Sequence, residues 1–331
     1  MRLLRPRMTL RFLRSGRYLA GTSLIVFCQF AALADIALDP NATADDLQAS
    51  RLIYVSDYVS FVGQDAQGHV AFALDTNRGR DGDAYQAEHF LVLHDELKSW
   101  VNLAGNGRFE NAKKELDTIP DSPFFQFTGS PRTGLTVTSL KNQLALRIEP
   151  MTQRRKNTHN GAVVWMSSGP ATLTWQGRSI PGRAIYEYLV MPDFNRLTRT
   201  YWGMWKEFQG LYLVAGNNSD VYAHSQLSER IAPLVGSVVG FTVLDEHTEF
   251  MKDLHVETLD RELAFGFYRW PTSWRLTWTG AEGPAVLTLT RFDRKKIGNW
   301  AIGGFSMAIV IGELNYSGRK LPIYGLAELI M

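Results

Sequence analysis

The chain contains the stretch Trp175-Gln-Gly-Arg-Ser-Ile-Pro181 and, much later, the similar stretch Tyr316-Ser-Gly-Arg-Lys-Leu-Pro322. Each stretch predicts a β-hairpin, because a polar residue followed by glycine favours a tight turn between two strands. After each proline, the second strand of the hairpin reaches a glutamate at the same spacing, Glu187 in one case and Glu328 in the other. The two hairpins are therefore predicted to be equivalent parts of a repeated structure.

The offset that maps Gly177 onto Gly318 continues unchanged upstream of the hairpins. It pairs Ala145-Leu146 with Val286-Leu287 and Met166 with Met307. Similarity at such a long fixed spacing indicates two copies of a whole domain, each ending in a strand that carries a glutamate. We therefore predict a polar lead-in followed by two domains, at residues 35–50, 51–192 and 193–331.

Several runs within these domains place apolar residues at every second position. This period is typical of strands with one buried face, and turn residues separate the runs at short intervals. The sequence therefore predicts an all-β fold of two consecutive antiparallel β-barrels, each with room for a small apolar ligand. The alternating runs are Leu135 to Leu140, Leu144 to Ile148, Ala285 to Phe292 and Phe305 to Ile311.

Two segments have the composition of helices rather than strands. Residues Gly107 to Leu116 and Glu246 to Glu262 are rich in Glu, Lys, Leu and other good helix formers. We predict that they form a few short helical connections between strands.

The first 34 residues have the features of a secretory signal. Six arginines and no acidic residue precede an apolar run from Tyr18 to Ala34, which ends in Ala32-Leu33-Ala34. The prediction is a signal peptide over residues 1–34 and an exported, periplasmic protein. The alternative is an uncleaved segment that anchors the protein to the inner membrane and keeps it at the membrane surface.

Removal of residues 1–34 leaves 297 residues with a net charge of −4. This charge gives no electrostatic basis for binding nucleic acid. Cys28, the one cysteine, lies in the removed segment, so the mature chain has no disulfide or thiolate ligand. The acidic stretch from Asp245 to His255 matches no compact metal-ligand spacing. Phosphate-loop and dinucleotide fingerprints are absent from the sequence, so no metal or other cofactor is predicted.

Six motifs, in their order along the chain, resemble those of the two-barrel lipocalin-like proteins related to carotenoid 1,2-hydratase (hydroxyneurosporene synthase). This resemblance spans about residues 50–331 and implies two lipocalin-like barrels. The motifs are Tyr58-Val-Ser-Phe-Val-Gly63, Ala87-Glu-His-Phe-Leu-Val-Leu-His-Asp95, Pro181-Gly-Arg-Ala-Ile-Tyr-Glu187, the segment from Trp202 to Leu213, the turn Trp270-Pro-Thr-Ser-Trp274, and Tyr324-Gly-Leu-Ala-Glu328.

The chain departs from this family at the end of its first domain. The family carries an acidic–basic–acidic–Trp run there, whereas this chain reads Tyr186-Glu187-Tyr188-Leu189. Hydration of an alkene needs an acid, such as a carboxyl group held neutral in an apolar pocket, and aromatic faces that stabilise a cation. The departure therefore favours binding over catalysis.

Eight residues are candidates for a site. His89 is predicted to point into the first barrel, and the alternative is a histidine hydrogen-bonded within a packed core. Glu187 and Glu328 have a structural alternative, in which they fix turns through Arg178 and Arg319. The candidate catalytic residues are His89 and Glu187, and the candidate ligand-binding residues are Tyr58, Trp202, Trp205, Tyr222, His224 and Glu328.

The sequence favours an exported protein that binds a hydrophobic small molecule, isoprenoid or lipid-like, in or between its two barrels. The alternative is a hydratase- or cyclase-type enzyme that acts on an isoprenoid or polyketide by acid catalysis in an aromatic-lined cavity. A third hypothesis is a structural or interaction protein with filled barrels. A bound apolar molecule would support the binding protein, turnover of a substrate would support the enzyme, and a cavity-free interior in both barrels would support the structural protein.

Overall fold

The computed structural model describes residues 52–81, 84–101, 103, 107–110, 119, 124–151, 155–159, 162–191, 207–216, 219–227, 237–244, 247–265, 268–299 and 304–330. All described residues belong to one compact unit, Asp35–Met331. Within them, no helix has the length and apolar character needed to cross a membrane.

The predicted all-β fold is confirmed: two curled antiparallel sheets, which we call the first and second half-barrels, contain most described residues. The first half-barrel has the strand order β4-β3-β2-β1-β11-β10-β8-β7-β6, with β5 also paired to β3 and β9 to β10. Its strands are β1 (Leu52–Asp65), β2 (Gly68–Asp81), β3 (Ala84–Asp95), β4 (Ser99–Val101), β5 (Gly107–Glu110), β6 (Gln126–Ser130), β7 (Gly134–Ser139), β8 (Leu144–Ile148), β9 (Arg155–His159), β10 (Ala162–Trp175) and β11 (Arg178–Met191).

The second half-barrel has the order β15-β14-β13-β12-β20-β19-β18-β17-β16. In each half-barrel the first strand pairs with the last, β1 with β11 and β12 with β20, so the topology repeats. Its strands are β12 (Glu207–Ala215), β13 (Ser219–Leu227), β14 (Ser237–Leu244), β15 (His247–Phe250), β16 (Lys252–Phe265), β17 (Tyr268–Gly280), β18 (Gly283–Asn299), β19 (Gly304–Tyr316) and β20 (Arg319–Ile330).

Both predicted hairpins are present. Gln176 and Gly177 connect β10 to β11 with φ angles of 50° and 80°, and Ser317 and Gly318 connect β19 to β20 with 51° and 74°. Two successive positive φ angles are typical of the type I′ turn, whose twist matches that of the flanking strands. The turns align Glu187 on β11 with Glu328 on β20 as equivalent positions of the two half-barrels.

Three apolar clusters organise the molecule. One fills the first half-barrel around Phe61, Phe72 and Trp175, and one fills the second around Trp274 and Leu287. The third, which we call the seam, contains residues of both half-barrels, among them Tyr58, Ile185, Tyr212, Ile309 and Leu326. Because side chains alternate along a strand, the central strands have one face in a half-barrel and the other in the seam.

The predicted helices are wrong wherever the structure describes them. Residues 107–110 form β5, and most of the segment from Glu246 to Glu262 forms β15 and β16. Good helix formers occur there because β16 presents many side chains to solvent, while the pairing of β15 with β14 and of β16 with β17 imposes the strand conformation. The one described helix is a short 3₁₀ turn, Leu140–Asn142. The predicted turn at Trp270 to Trp274 also lies inside a strand, β17.

Candidate functional site

The seam brings together two glutamates that occupy equivalent positions of the two half-barrels. Glu187 and Glu328 are each less than a tenth exposed. Tyr212 Oη lies 3.3 Å from Glu187 Oε2 and 3.4 Å from Glu328 Oε2. The ring of Tyr58 stacks on that of Tyr212, with centroids 4.6 Å apart. We call these four residues, with the nearby Asp75, the acid cluster.

Burial changes the ionisation of the acid cluster. Desolvation, aided by the charges of Asp75 and Glu187, raises the pKa of Glu328 well above its ordinary value. Desolvation and the charges of Glu328, Asp75 and Glu187 also raise the pKa of Tyr58. The Tyr212 hydroxyl lies within donating distance of both Glu187 and Glu328, and its single proton can serve one of them at a time. Tyr212 therefore links the two equivalent glutamates across the seam.

The two hairpin arginines do not contact these glutamates. Arg178 binds Asp65 through two contacts of 2.9 Å and Asp95 through one of 2.7 Å. Arg319, its repeat equivalent, reaches Glu282 at 3.4 Å on the surface. The structural alternative in which Arg178 and Arg319 fix Glu187 and Glu328 is therefore not what the structure shows.

His89 is fully buried inside the first half-barrel, the face predicted for it. Its Nδ1 lies 3.0 Å from Thr76 Oγ1, and its ring packs against Phe125 and Phe127. Its surroundings are those of a packed core, whereas the acid cluster lies in the seam. The structure thus places the two candidate catalytic residues, His89 and Glu187, apart.

For the other four candidates, the structure describes either nothing or the backbone alone. Trp202 and Trp205 lie outside the described residues. Tyr222 and His224 lie on β13, where their Cα atoms pair with those of Tyr212 and Gly210 on β12 and only the backbone is described.

A groove of about 1320 Å³ lies between the half-barrels, at the end of the seam nearest the two hairpins. Val62, His69 and Glu96 line it from the first half-barrel, and Phe292 and Tyr324 from the second. Phe292 is 55% exposed and adds an apolar side chain to the groove wall. The volume exceeds the range of about 300–1,000 Å³ that is typical of small-molecule pockets.

Tyr324 forms part of the groove wall and is tightly held. Its ring stacks on that of His69, with centroids 4.2 Å apart and planes 11° from parallel. Glu96 Oε2 accepts a hydrogen bond from the backbone N–H of His69 at 2.8 Å, and the same oxygen lies 2.9 Å from His69 Nδ1. Glu96 therefore fixes the orientation of the imidazole against Tyr324.

A buried histidine lies behind this tyrosine. His94 Nδ1 is 3.3 Å from Tyr324 Oη, and His94 Nε2 is 3.5 Å from Asp293 Oδ2. Desolvation lowers the pKa of His94 despite the nearby Asp293, and desolvation raises the pKa of Tyr324. Both groups are thus neutral near pH 7, and His94 can accept a hydrogen bond from the phenol.

A β-bulge on β18 brings Asp293 to this place. The register with β19 shifts between Arg291, which pairs with Val310, and Asp293, which pairs with Ile309. Val310 belongs to the second half-barrel core and Ile309 to the seam. The extra residue, Phe292, reverses the alternation and puts Asp293 on the seam face.

Of the sequence-predicted site residues whose side chains the structure describes, none lines the groove. His69, His94, Glu96, Asp293 and Tyr324 were not among the predicted site residues. His94 and Tyr324 belong to two of the six motifs that carry the family resemblance, the motifs at 87–95 and 324–328, so the sequence did contain a signal for these two residues. Within the part of the chain that the structure describes, no cluster of His, Cys, Asp or Glu side chains is arranged to hold a metal ion.

No protein-family model matches the sequence, and a comparison with curated proteins finds no match. Solved structures are similar in fold. An AttH-type protein of Nitrosomonas europaea has a TM-score of 0.58 at 12% identity, covering 85% of this chain and 93% of its own. CghA with Sch210972 has a TM-score of 0.52 at 12% identity, covering 84% of this chain and 88% of its own. Kievitone hydratase of Nectria haematococca has a TM-score of 0.49 at 10% identity, covering 83% of this chain and 88% of its own. At 12% identity, the likeness to the first two structures shows a shared fold and nothing more.

Proposed function

We propose that the protein is a hydratase- or cyclase-type enzyme that binds a hydrophobic small molecule, of isoprenoid or polyketide type, in the groove between its half-barrels. The observation that carries this proposal is the groove itself. It combines exposed apolar side chains with Tyr324, His69 and Glu96, groups that can exchange protons with a ligand.

The position of the groove supports binding of a mainly apolar molecule. Val62 and Val214 continue the seam into the groove from opposite half-barrels, and Phe292 and Ile311 extend the apolar wall toward solvent. A ligand that covered these side chains would remove their area from water, at about 25 cal/mol per Å². The solved structure of CghA with the small molecule Sch210972 agrees with ligand binding by this fold.

Acid–base groups favour an enzyme over a carrier. A carrier needs only an apolar wall and a few fixed hydrogen bonds. Here a tyrosine at the wall contacts a buried neutral histidine, and His69, hydrogen-bonded to Glu96, lies against the same ring. We therefore place the enzyme ahead of the carrier, which remains the second candidate because the groove is large and partly apolar.

Turnover of acyclic isoprenoids tests this proposal. We expect the full chain, incubated with farnesol, geranylgeraniol and squalene in H₂¹⁸O, to convert at least one into an isomer or a labelled hydrate detectable by mass spectrometry. Thr290→Trp should lose the activity because Thr290 lines the groove. Val286→Trp, on the same face of β18 but away from the groove, should keep it. Stoichiometric binding without conversion would instead support the carrier.

The acid cluster provides a second candidate for the proton donor in hydration of an isolated alkene. A neutral carboxyl group is a stronger acid than a phenol, and burial raises the pKa of Glu328, which lies beside Tyr58 and Tyr212. In the same assay, loss of hydration in Glu328→Gln but not in Tyr324→Phe would assign the proton to Glu328. The reverse result would assign it to the groove.

We also propose export to the periplasm, with residues 1–34 as the signal. The support is the arginine-rich start, the apolar run and the Ala32-Leu33-Ala34 end. Nothing in the charge of residues 35–331 suggests a nucleic-acid partner, and we propose a hydrophobic small molecule as the partner instead.

A further inference from the structure

Asp293, His94 and Tyr324 form a chain of polar side chains that ends at the groove. Asp293 and Tyr324 come from the second half-barrel and His94 from the first, so the chain exists only where the half-barrels meet. His94 is fully buried, with Trp100 and Phe292 packed edge-on around its ring. Such packing excludes water from the imidazole.

The distances favour one position for the proton of His94. With its proton on Nε2, His94 presents Nδ1 as an acceptor to the Tyr324 hydroxyl at 3.3 Å. Its Nε2 then faces the Asp293 carboxylate at 3.5 Å, an electrostatic contact, since Nε2 makes no hydrogen bond among the described residues. The order carboxylate, imidazole, hydroxyl is the arrangement by which a carboxylate orients a histidine that accepts a proton from a hydroxyl group. The hydroxyl here belongs to Tyr324, a residue of the groove wall.

We propose that Tyr324, assisted by His94 and Asp293, is the acid–base group of the groove and that it transfers protons at the carbon next to a carbonyl group of an apolar ligand. This inference rests on the proposed function and deepens it, because it names a substrate class, apolar molecules with a ketone or aldehyde.

In this step, each proton that leaves one group is taken up by another. His94 Nδ1 takes the phenol proton while Tyr324 Oη takes a proton from the α-carbon, and the electron pair of the broken C–H bond forms an enolate. The Asp293 carboxylate stabilises the imidazolium. If a hydroxyl group lies β to the carbonyl, the enolate expels it, and the proton on His94 passes through Tyr324 to make water. The reverse sequence hydrates an enone.

The neighbouring groups hold the phenol in position for this step. His69 stacks on the Tyr324 ring, and Glu96 fixes His69 through its backbone N–H and Nδ1. Burial raises the pKa of Tyr324 and lowers the pKa of His94, so both return to their neutral forms after each transfer. We therefore regard His69 and Glu96 as positioning residues.

Deuterium exchange into β-ionone, an apolar isoprenoid ketone, tests the inference. In D₂O the full chain should accelerate exchange of the protons next to the carbonyl above the buffer rate. Tyr324→Phe keeps the aromatic ring, and we expect it to lower the enzyme-catalysed rate about 100-fold. Asp293→Asn should lower it less. Tyr316→Phe, at a tyrosine that contacts Glu249 away from the groove, is the matched control.

Binding of β-ionone is measured separately by quenching of tryptophan fluorescence, and circular dichroism checks the fold of each variant. Binding with no accelerated exchange would overturn the acid–base role and leave the proposed function intact. Deuterium exchange by Tyr324→Phe at the wild-type rate would likewise overturn the acid–base role and leave the proposed function intact. If β-ionone does not bind at all, both the inference and the proposed ligand class are contradicted.

Discussion

Replacement of Glu328 by glutamine should make the stability of the protein less dependent on pH. Below about pH 4.5, Glu328 is protonated in both the native and the unfolded state. As the pH rises, the unfolded chain loses this proton while the native state keeps it, because burial raises the native pKa. The native state then binds more protons, so this residue makes stability fall as the pH increases toward the native pKa.

The size of the effect follows from the linkage relation. While the native state keeps this proton and the unfolded chain has lost it, the wild-type protein loses at most about 1.4 kcal/mol per pH unit. Between pH 5 and pH 7, Glu328→Gln should therefore gain stability relative to wild type in urea unfolding, by at most about 2.5 kcal/mol. Glu282→Gln removes an exposed carboxyl group and should follow the wild-type profile. Parallel profiles for wild type and Glu328→Gln would show that the acid cluster does not hold a proton.

Loss of Arg178 should destabilise the protein far more than loss of its repeat equivalent, Arg319. The Arg178 side chain is 13% exposed and binds both Asp65 and Asp95, of which Asp95 is 1% exposed. The pKa of Asp65 is lowered mainly by the hydrogen bonds from Arg178. Removing the guanidinium leaves the Asp95 carboxylate buried without its cation, a change that typically costs about 3–5 kcal/mol.

Arg319 provides a matched control at the same position of the second hairpin. Its contact with Glu282 is exposed on both sides, 40% and 57%, and such pairs contribute less than about 1 kcal/mol. In urea unfolding followed by tryptophan fluorescence, we expect a loss of about 3 kcal/mol for Arg178→Ala. Similar losses for the two variants would contradict the assigned role of the Arg178 network.

The repeat was the most informative feature of the sequence. Its constant offset predicted both hairpins, and the turn residues Gln176-Gly177 and Ser317-Gly318 have the backbone angles that the pattern requires. The alternating runs predicted β8 within its bounds and parts of β7, β18 and β19. These features were predictable because turn chemistry and period-two alternation are local.

The seam was not predictable in the same way. Alternation shows that a strand has two faces, but it does not distinguish a face in contact with another half-barrel from one that faces a ligand. Glu187 and Glu328 were therefore predicted as site candidates, with a role in fixing turns as the alternative, and their approach to each other through Tyr212 between the half-barrels was not predicted. The equivalence of the two positions was visible, whereas their contact depends on how the half-barrels associate.

The groove was missed for a related reason. His69 and His94 lie far from Tyr324 in the sequence, and the three side chains come together only through sheet pairing and the seam. Asp293 is a stronger example, because the bulge at Phe292 reverses the face that simple alternation would give it. Strands β15 and β16 show the opposite error, since their helix-forming composition was overridden by neighbouring strands.

Native mass spectrometry of the full chain with added farnesol, geranylgeraniol or squalene shows whether the groove binds an apolar molecule. We expect at least one of the three to bind the wild-type protein and Val286→Trp, a variant whose substituted position does not line the groove. Thr290→Trp, which adds a bulky side chain to the groove wall, should bind the same molecule more weakly. Equal binding by Thr290→Trp, or no binding of any of the three by the wild-type protein, would contradict the groove as the binding site.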